Sequence, residues 1–149
     1  MAEIDRLEFL RWVNAAHRGR GVQAPGVDLS RLNLTRVNLA DANLLGANLS
    51  GTILTGAILT GANLSCANLE GANLTGANLS CANLTGANLS GANLSENLSD
   101  ASGSVANRFI ANLFGANLSG AHMTGVLYDK STKWPAGFKP VASGAVKVG

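Results

Sequence analysis

Hydrophobic and polar residues alternate in a five-residue pattern through the middle of the chain. Residues 71–95 read GANLTGANLSCANLTGANLSGANLS, so apolar Ala and Leu flank a polar Asn in every unit. The central Leu recurs every five residues from Leu29 to Leu94, which makes 14 units without a slip. A period of five fits neither an α-helix, near 3.6 residues, nor a β-strand, with about two. The pattern therefore predicts neither one long helix nor one long strand.

Each unit instead predicts a short extended segment followed by a tight corner. In Ala-Asn-Leu, the Ala and Leu side chains lie on one side and the Asn side chain on the other. The Ser/Thr-Gly pair suits a turn, because Gly adopts positive φ without steric cost. Repetition winds the chain into stacked coils with Leu and Ala inside, which predicts an all-β solenoid. A long α-helix is disfavoured, because each Gly costs about 1 kcal/mol relative to Ala.

The A-N-L-S/T-G units over residues 27–126 resemble the pentapeptide repeat family, whose pattern is A-(D/N)-L-x-x. The resemblance implies a right-handed quadrilateral parallel β-helix with four pentapeptides per coil, and about five coils for this chain. The tail YDKSTKWPAGFKP is similar to the tails of many cyanobacterial members of the family, which indicates a cyanobacterial origin.

Both ends of the chain depart from the repeat and predict caps, because an open solenoid end exposes unpaired strand edges and bare core. Residues 3–16 are predicted to form an amphipathic cap helix, since apolar residues recur there at helical spacing. These residues are Ile4, Leu7, Leu10 and Val13, with Phe9 and Trp12 beside them. At the other end, Tyr128, Trp134 and Phe138 suit an aromatic lid. The alternative for the two tryptophans, Trp12 and Trp134, is ligand stacking.

These features predict a single domain in three parts. Residues 1–26 form the N-terminal cap helix and linker, and residues 27–126 form the pentapeptide-repeat β-helix. Residues 127–149 form the C-terminal cap and tail. The middle part contains an irregular loop near residues 96–106, where the repeat falters.

The repeat resumes after the interruption in a shifted register. Arg108 is expected to face outward, because a buried charge without a partner is very costly. Ile110 and Phe114 then occupy corner positions that elsewhere hold Ser, Thr or Gly. The loop at residues 96–106 is either a functional feature of the surface or a tolerated insertion or deletion, and the sequence favours neither.

Five outward residues are candidates for a contact with a partner. Arg108, Ile110 and Phe114 are predicted to form a protein-interaction patch, since specific contacts usually centre on a few apolar or aromatic anchors. Ile53 and Ile58, which replace Asn on the outer side, are weaker candidates, because singly exposed apolar residues are ordinary. The alternative for the patch is that the loop folds over Ile110 and Phe114 and buries them.

Composition points away from catalysis and from nucleic acid. Charged residues are 13% of the chain, about half the usual share, and the net charge is +2. His17 and His122 are expected to be ordinary surface residues, and no close carboxylate pair is evident. We therefore predict a protein that is not an enzyme and has no catalytic, cofactor-binding or metal-binding residues. It is expected to need no nucleic acid, membrane or small-molecule substrate.

Cys66 and Cys81 take the corner place of Gly, fifteen residues apart. On the four-sided coils that the resemblance implies, they lie at different corners, too far apart for a disulfide. Two lone thiols fit a reducing compartment, and the first ten residues carry acids where a secretory signal would carry bases. The expected location is therefore cytoplasmic.

The leading functional hypothesis is a structural scaffold or protein-interaction module that contacts another protein or a copy of itself. The resemblance offers a rival, because some members of the family mimic duplex DNA and bind type II topoisomerases. Mimicry needs a strongly negative rod, whereas residues 27–126 carry five acids and three arginines, a net charge of −2. A second rival is the binding of ordered water or ice by rows of Asn and Ser/Thr.

Overall fold

The computed structural model describes residues 4–16, 21–95, 113–114, 116–122, 126–128 and 130–147. Strands β1 (Leu127–Tyr128) and β2 (Val146–Lys147) pair in parallel, with Leu127 opposite Val146. The regular elements outside the repeat are helix α1 (Arg6–Ala15), strand β1 (Leu127–Tyr128), a 3₁₀ helix (Val141–Ser143) and strand β2 (Val146–Lys147).

The repeat region is held together by parallel backbone pairing between residues twenty positions apart. Asn43 pairs with Asn63, and Asn63 pairs in turn with Asn83. Twenty residues are four pentapeptides, so the pairing itself supplies the number of sides, which the five-residue period alone left open. One side shows five successive levels, formed by Asp28, Asn48, Asn68, Asn88 and Asn117.

The corners explain why Gly recurs in the repeat. At one corner, the backbone N–H of Ala67 donates to the carbonyl oxygen of Leu64 at 3.0 Å, which closes a four-residue turn. The third residue of this turn, Cys66, has a φ of 57°. A positive φ at the third position is the requirement of a type II turn, and Gly meets it without strain. The predicted role of Gly at the corner is confirmed by ten glycines of the described repeat that have positive φ.

The core is built from the central Leu of each unit, as predicted. Every central Leu from Leu29 to Leu94 is buried, and most are completely so. The Ala two positions earlier is buried with it in almost every unit. Thr52 takes one of these Ala places, and its Oγ1 donates a 2.8 Å hydrogen bond to the carbonyl oxygen of Leu29. The buried hydroxyl of Thr52 is therefore satisfied by backbone of the previous coil.

The regular pairing begins one pentapeptide before the first central Leu. Gln23 pairs with Asn43, and Ala24 takes the buried central place of that unit. An alanine in the central place breaks the Leu pattern, which is why the sequence motif starts later than the pairing does. The three-part division of the chain stays a prediction.

Helix α1 is present, but one residue of its predicted apolar stripe faces outward while the others pack against the core. Asp5 begins the helix by accepting a 2.8 Å hydrogen bond from the backbone N–H of Glu8. Phe9 is completely buried in the same apolar cluster as the repeat leucines, and Ile4 is buried there too. Leu7, expected on the buried face, is instead largely exposed. The burial of the larger Phe9 orients the helix so that Leu7 turns outward.

The interruption of the repeat adds residues to one coil. Asn88 pairs with Asn117 and Asn93 pairs with His122, at separations of 29 rather than 20 residues, an excess of nine. Regular pairing thus resumes on the same sides after the extra residues. The predicted loop at residues 96–106 lies outside the described part of the chain.

Aromatic side chains pack on one another near the C-terminal end. The Tyr128 and Trp134 rings lie 5.2 Å apart at 89°, an edge-on contact. The Trp134 and Phe138 rings are stacked, also at 5.2 Å. Tyr128 is buried, whereas Trp134 and Phe138 are half-buried against the core. The three residues predicted as a lid thus form one connected cluster.

Candidate interaction surface

The outward Asn of each unit is tied to its own corner. In a representative unit, Asn63 Oδ1 accepts hydrogen bonds from the Ser65 backbone N–H at 3.2 Å and from the Ser65 hydroxyl at 2.6 Å. Asn83 and Thr85 repeat the same arrangement. This Asx-type turn explains why Asn and Ser/Thr recur two positions apart. The side-chain oxygens and hydroxyls are consequently used within the repeat.

Some Asn side chains also bond between coils. Asn88 Nδ2 donates to Asn68 Oδ1 at 3.2 Å, and Asn117 Nδ2 donates to Asn88 Oδ1 at 3.3 Å. Asn48 Nδ2 likewise donates to Asp28 Oδ1 at 3.0 Å. These ladders run along the rod and consume further polar groups. Because the surface is already hydrogen-bonded internally, its Asn rows offer a partner little that water does not.

Asp28 is the one acid in an outward Asn place among the described residues. The backbone N–H of Ser30, followed by the Ser30 hydroxyl, lowers the pKa of its carboxyl group below the ordinary value, and Asn48 adds to this. The resulting stabilisation is present above the unfolded-state pKa and is lost as the pH falls through the folded-state pKa. The exposure of the carboxylate keeps the effect small.

Ile53 and Ile58 face outward at the places of Asn, as the sequence predicted. Both are exposed, at 39% and 41%. Ile53 stands between Asn33 and Asn73, and Ile58 lies on the following side of the same coil. The two isoleucines thus replace the Asn side chain on two neighbouring sides.

Phe114 is the most exposed large apolar side chain in the described chain, at 68%. Its backbone is fixed, because its carbonyl oxygen accepts a 3.0 Å hydrogen bond from the N–H of Gly86. Arg108 and Ile110, its predicted companions in the patch, lie outside the described residues. The patch as a whole therefore stays a prediction.

The two cysteines lie at corners, as expected, and both are free and exposed. Cys66 follows the corner row of Gly46, whereas Cys81 follows the row of Gly61, so the twenty-residue pairing places them at different corners. Both have left-handed backbone, with φ of 57° and 59°. A residue with a Cβ is strained in this conformation.

Replacing Cys81 by glycine should stabilise the protein by about 0.5–1 kcal/mol, because the left-handed strain is removed and only partly offset by the greater flexibility of Gly in the unfolded chain. The measurement is chemical denaturation. Cys81→Ala serves as the control, because it removes the thiol but keeps the Cβ. An equal gain from both variants would contradict the backbone explanation.

The described residues offer few groups suited to metal binding or catalysis. Within it, no three His, Cys, Asp or Glu residues are grouped so that they could hold a metal ion. His122 lies on the outer side, in the place of Asn, and pairs through its backbone with Asn93. His17 lies outside the described residues. No helix in the described part has the length and apolar content needed to cross a membrane.

Comparisons with known proteins agree with the repeat. The family model of pentapeptide repeats matches residues 26–56 and 57–95, with eight copies. A crystal structure of a pentapeptide repeat protein, Rfr23, from the cyanobacterium Cyanothece 51142 is 35% identical in sequence, over 78% of this chain and 67% of that one, with a TM-score of 0.33. The chain belongs to the pentapeptide repeat family. The family fold is a right-handed quadrilateral β-helix, in line with the four pentapeptides per turn found here.

Two further pentapeptide repeat proteins are similar to this one. A protein of the Arabidopsis thaliana thylakoid lumen is 35% identical, covering 70% of this chain and 67% of that one, with a TM-score of 0.36. HetL from Nostoc, involved in heterocyst differentiation regulation, is 25% identical, covering 85% of this chain and 64% of that one, with a TM-score of 0.45. The comparison with curated protein sequences found no match.

Proposed function

We propose that this pentapeptide repeat protein is a non-enzymatic scaffold that binds another protein. The observation that carries the proposal is the presence of apolar side chains at outward places where the repeat otherwise puts hydrogen-bonded Asn, Ser or Thr. Phe114, Leu45, Ile53 and Ile58 are such residues. Apolar and aromatic anchors supply most of the binding energy in specific protein contacts.

The rest of the surface supports a role as a rigid support. Its Asn and Ser/Thr side chains are bonded to their own corners, so binding there exchanges one set of satisfied groups for another. Burying apolar surface, by contrast, yields about 25 cal/mol per Å². A partner is therefore expected to be selected by the few apolar side chains and by the stiffness of the coil that positions them.

We place the contact at the patch of Arg108, Ile110 and Phe114, with Ile53 and Ile58 as a secondary site. The exposure of Phe114 and its fixed backbone support this placement. Arg108 adds a charge that suits an acidic or aromatic group on the partner.

The experiment is quantitative affinity capture from the source cell, with the tagged protein as bait. The double variant Ile110→Ser with Phe114→Ser should capture at least tenfold less of a specific partner. Its thermal unfolding temperature should stay nearly unchanged. Leu7→Ala is the control, since it truncates a similarly exposed apolar side chain that belongs to neither site. Unchanged capture by the patch variant, or a large fall in its stability, would overturn the placement.

We also propose that α1 and the C-terminal aromatic cluster close the ends of a rod of about five coils. In support, the Arg6 Nε donates to the carbonyl oxygen of Asn33 at 2.6 Å. One coil further on, the corresponding carbonyl of Ile53 accepts from the N–H of Leu34 in the coil before it. The arginine thus supplies the hydrogen bond that a preceding coil would otherwise donate. The completely buried Phe9 side chain covers the core beside it.

Charge separates this proposal from DNA mimicry. Duplex DNA carries about one negative charge per 1.7 Å of its axis, whereas the net charge over residues 27–126 is −2. The protein should therefore leave the supercoiling activity of DNA gyrase unchanged at micromolar concentration. A supercoiling assay run at two salt concentrations measures this. Inhibition that weakens as salt rises would contradict the proposal in favour of mimicry.

The free thiols of Cys66 and Cys81 support a reducing, cytoplasmic location, because exposed thiols persist there. The proposed function requires no cofactor and no small-molecule substrate.

A further inference from the structure

Leu45 and Phe114 lie in one row along a single edge of the repeat region. Corner backbones on this edge are joined level by level. The N–H of Gly26 donates to the Leu45 carbonyl oxygen at 2.8 Å, and the N–H of Gly86 donates to that of Phe114 at 3.0 Å. Through the same bonds at the levels between, the row reads Pro25, Leu45, Ser65, Thr85 and Phe114. We call this row, with the corner residues that follow it, the apolar edge.

The apolar edge differs from the other edges in both charge and size of side chain. The equivalent rows on the other edges hold Ser, Thr, Ala or Glu in the described chain. Each of those edges also carries a charged corner residue, namely Arg31, Arg36 or Asp41. The described positions of the apolar edge carry no charge. Leu45 and Phe114, at 44% and 68% exposure, are the large apolar side chains that the corner rows present to solvent.

The polar residues on this edge are already satisfied. Ser65 Oγ donates to Asn63 Oδ1 and Thr85 Oγ1 donates to Asn83 Oδ1, both at 2.6 Å. A surface that covered the edge would therefore leave neither hydroxyl without a hydrogen-bond acceptor. Covering it with a charged surface would bury charges without partners, which is costly.

We propose that the apolar edge is the contact between two copies of this chain, paired edge to edge about a two-fold axis. The proposal rests on the proposed function and names a partner for part of its surface. A second copy presents a complementary surface, because the edge is neutral and a two-fold contact places the same patch on both sides. In a parallel pair, any other edge would bring its charged corner residue opposite the same residue of the second copy, which is unfavourable.

Apolar side chains meet in either orientation of the pair. In a parallel pair, Leu45 faces Leu45 of the second copy and Phe114 faces Phe114. In an antiparallel pair centred between Ser65 and Thr85, Leu45 faces Phe114 of the second copy. Five levels at strand spacing span about 19 Å. An edge of this length makes a contact below the standard size, so the dimer is expected to be weak and in rapid exchange.

Cys66 provides a built-in probe of this contact. It lies on the apolar edge beside Ser65, and it is exposed and free. In either orientation, Cys66 of the two copies lies on the contact, with an offset along the rod of at most one strand spacing, about 5 Å. Cys81 is also exposed but lies at a different corner, so it serves as the matched control.

The experiment compares two single-cysteine proteins, Cys81→Ser and Cys66→Ser, treated with a short bismaleimide over a concentration series. The protein that keeps Cys66 should give at least fivefold more covalent dimer than the protein that keeps Cys81. Adding Leu45→Ser and Phe114→Ser to the Cys66 protein should lower its yield to that of the Cys81 protein. Adding Ile53→Asn instead should leave the yield unchanged.

Equal yields from the two cysteines, or a yield that Leu45→Ser with Phe114→Ser does not lower, would overturn the edge-to-edge dimer. Thermal unfolding confirms that each variant is folded, and Leu45→Ser alone replaces the double variant if stability falls. Failure here leaves the proposed function standing, because capture of another protein is measured separately. Failure of that capture with Cys66 crosslinking intact would instead leave the dimer standing.

Discussion

Leu84→Ala should lower the free energy of unfolding by about 2–5 kcal/mol, the range for large-to-small changes in a packed core. Leu84 is completely buried, one level from Leu64, and the two levels are joined because the N–H of Leu64 donates to the Asn83 carbonyl oxygen at 2.7 Å. The neighbouring coils are held at strand spacing by these backbone bonds, so they cannot collapse into the cavity. Urea denaturation measures the change.

Leu45→Ala is the matched control for this prediction. The substitution is the same and the residue also belongs to the repeat, but Leu45 lies at an exposed corner place. Its replacement should change stability by about 0.5 kcal/mol or less, as surface substitutions usually do. A change below 1 kcal/mol for Leu84→Ala, or equal changes for the two, would mean that the inside and outside of the coil are wrongly assigned.

Gly21→Ala should destabilise the protein by about 2–3 kcal/mol, at the upper end for overpacking. A Cβ at Gly21 would overlap the Ala42 nitrogen, the Asp41 carbonyl carbon and the Ala40 oxygen. All three are backbone atoms of a corner, so no side chain can move aside to make room. The chain that leads into the first coil passes this corner so closely that only Gly fits.

Gly26→Ala is the control, because it adds the same methyl group five residues later in open space. Gly26 has a φ of 67°, so alanine there should cost about 1 kcal/mol through left-handed strain alone. Thermal denaturation of the two variants measures the difference. Equal losses of stability would contradict the close approach at Gly21.

Most of the fold could be predicted from the sequence, because the same five-residue pattern recurs in many units. Leu at the centre, Asn outside and Gly at the corner each meet a separate physical requirement, and all of them agree. The burial of Leu29 through Leu94 and the corner places of Cys66 and Cys81 followed directly. The number of sides did not follow, because it depends on how far along the chain the backbone pairs.

The structure departs from the predictions where the sequence departs from the five-residue pattern. Ala24 holds a central place without the Leu that marks it elsewhere, so the first paired unit was missed. In α1, helical spacing favoured Leu7 for the core, but the buried residue is Phe9. A short helix has several apolar stripes of similar strength, and packing against the coil chooses among them.

The candidate surface was predicted only in part, because it depends on which residues share an edge. Phe114 and the two outer isoleucines stand out individually in the sequence. Leu45 does not, since a single Leu in a Ser/Thr place is unremarkable until the pairing aligns it with Phe114. The twenty-residue register is therefore the signal that turns scattered apolar residues into one surface.

That register is the central claim, and intramolecular crosslinking tests it most directly. In a protein with Cys66→Ser and Cys81→Ser, cysteines are introduced at Asn48 and Asn68, or at Asn48 and Ile58, and a short thiol crosslinker is added. Asn48 and Asn68 pair through their backbones on one side, whereas Ile58 lies two sides away on the same coil. Mass spectrometry should find an internal crosslink for Asn48 with Asn68, which are twenty residues apart. It should find none for Asn48 with Ile58, although these are only ten apart. A crosslink between positions 48 and 58, with none between positions 48 and 68, would contradict four pentapeptides per turn. It would also contradict the surfaces derived from that register.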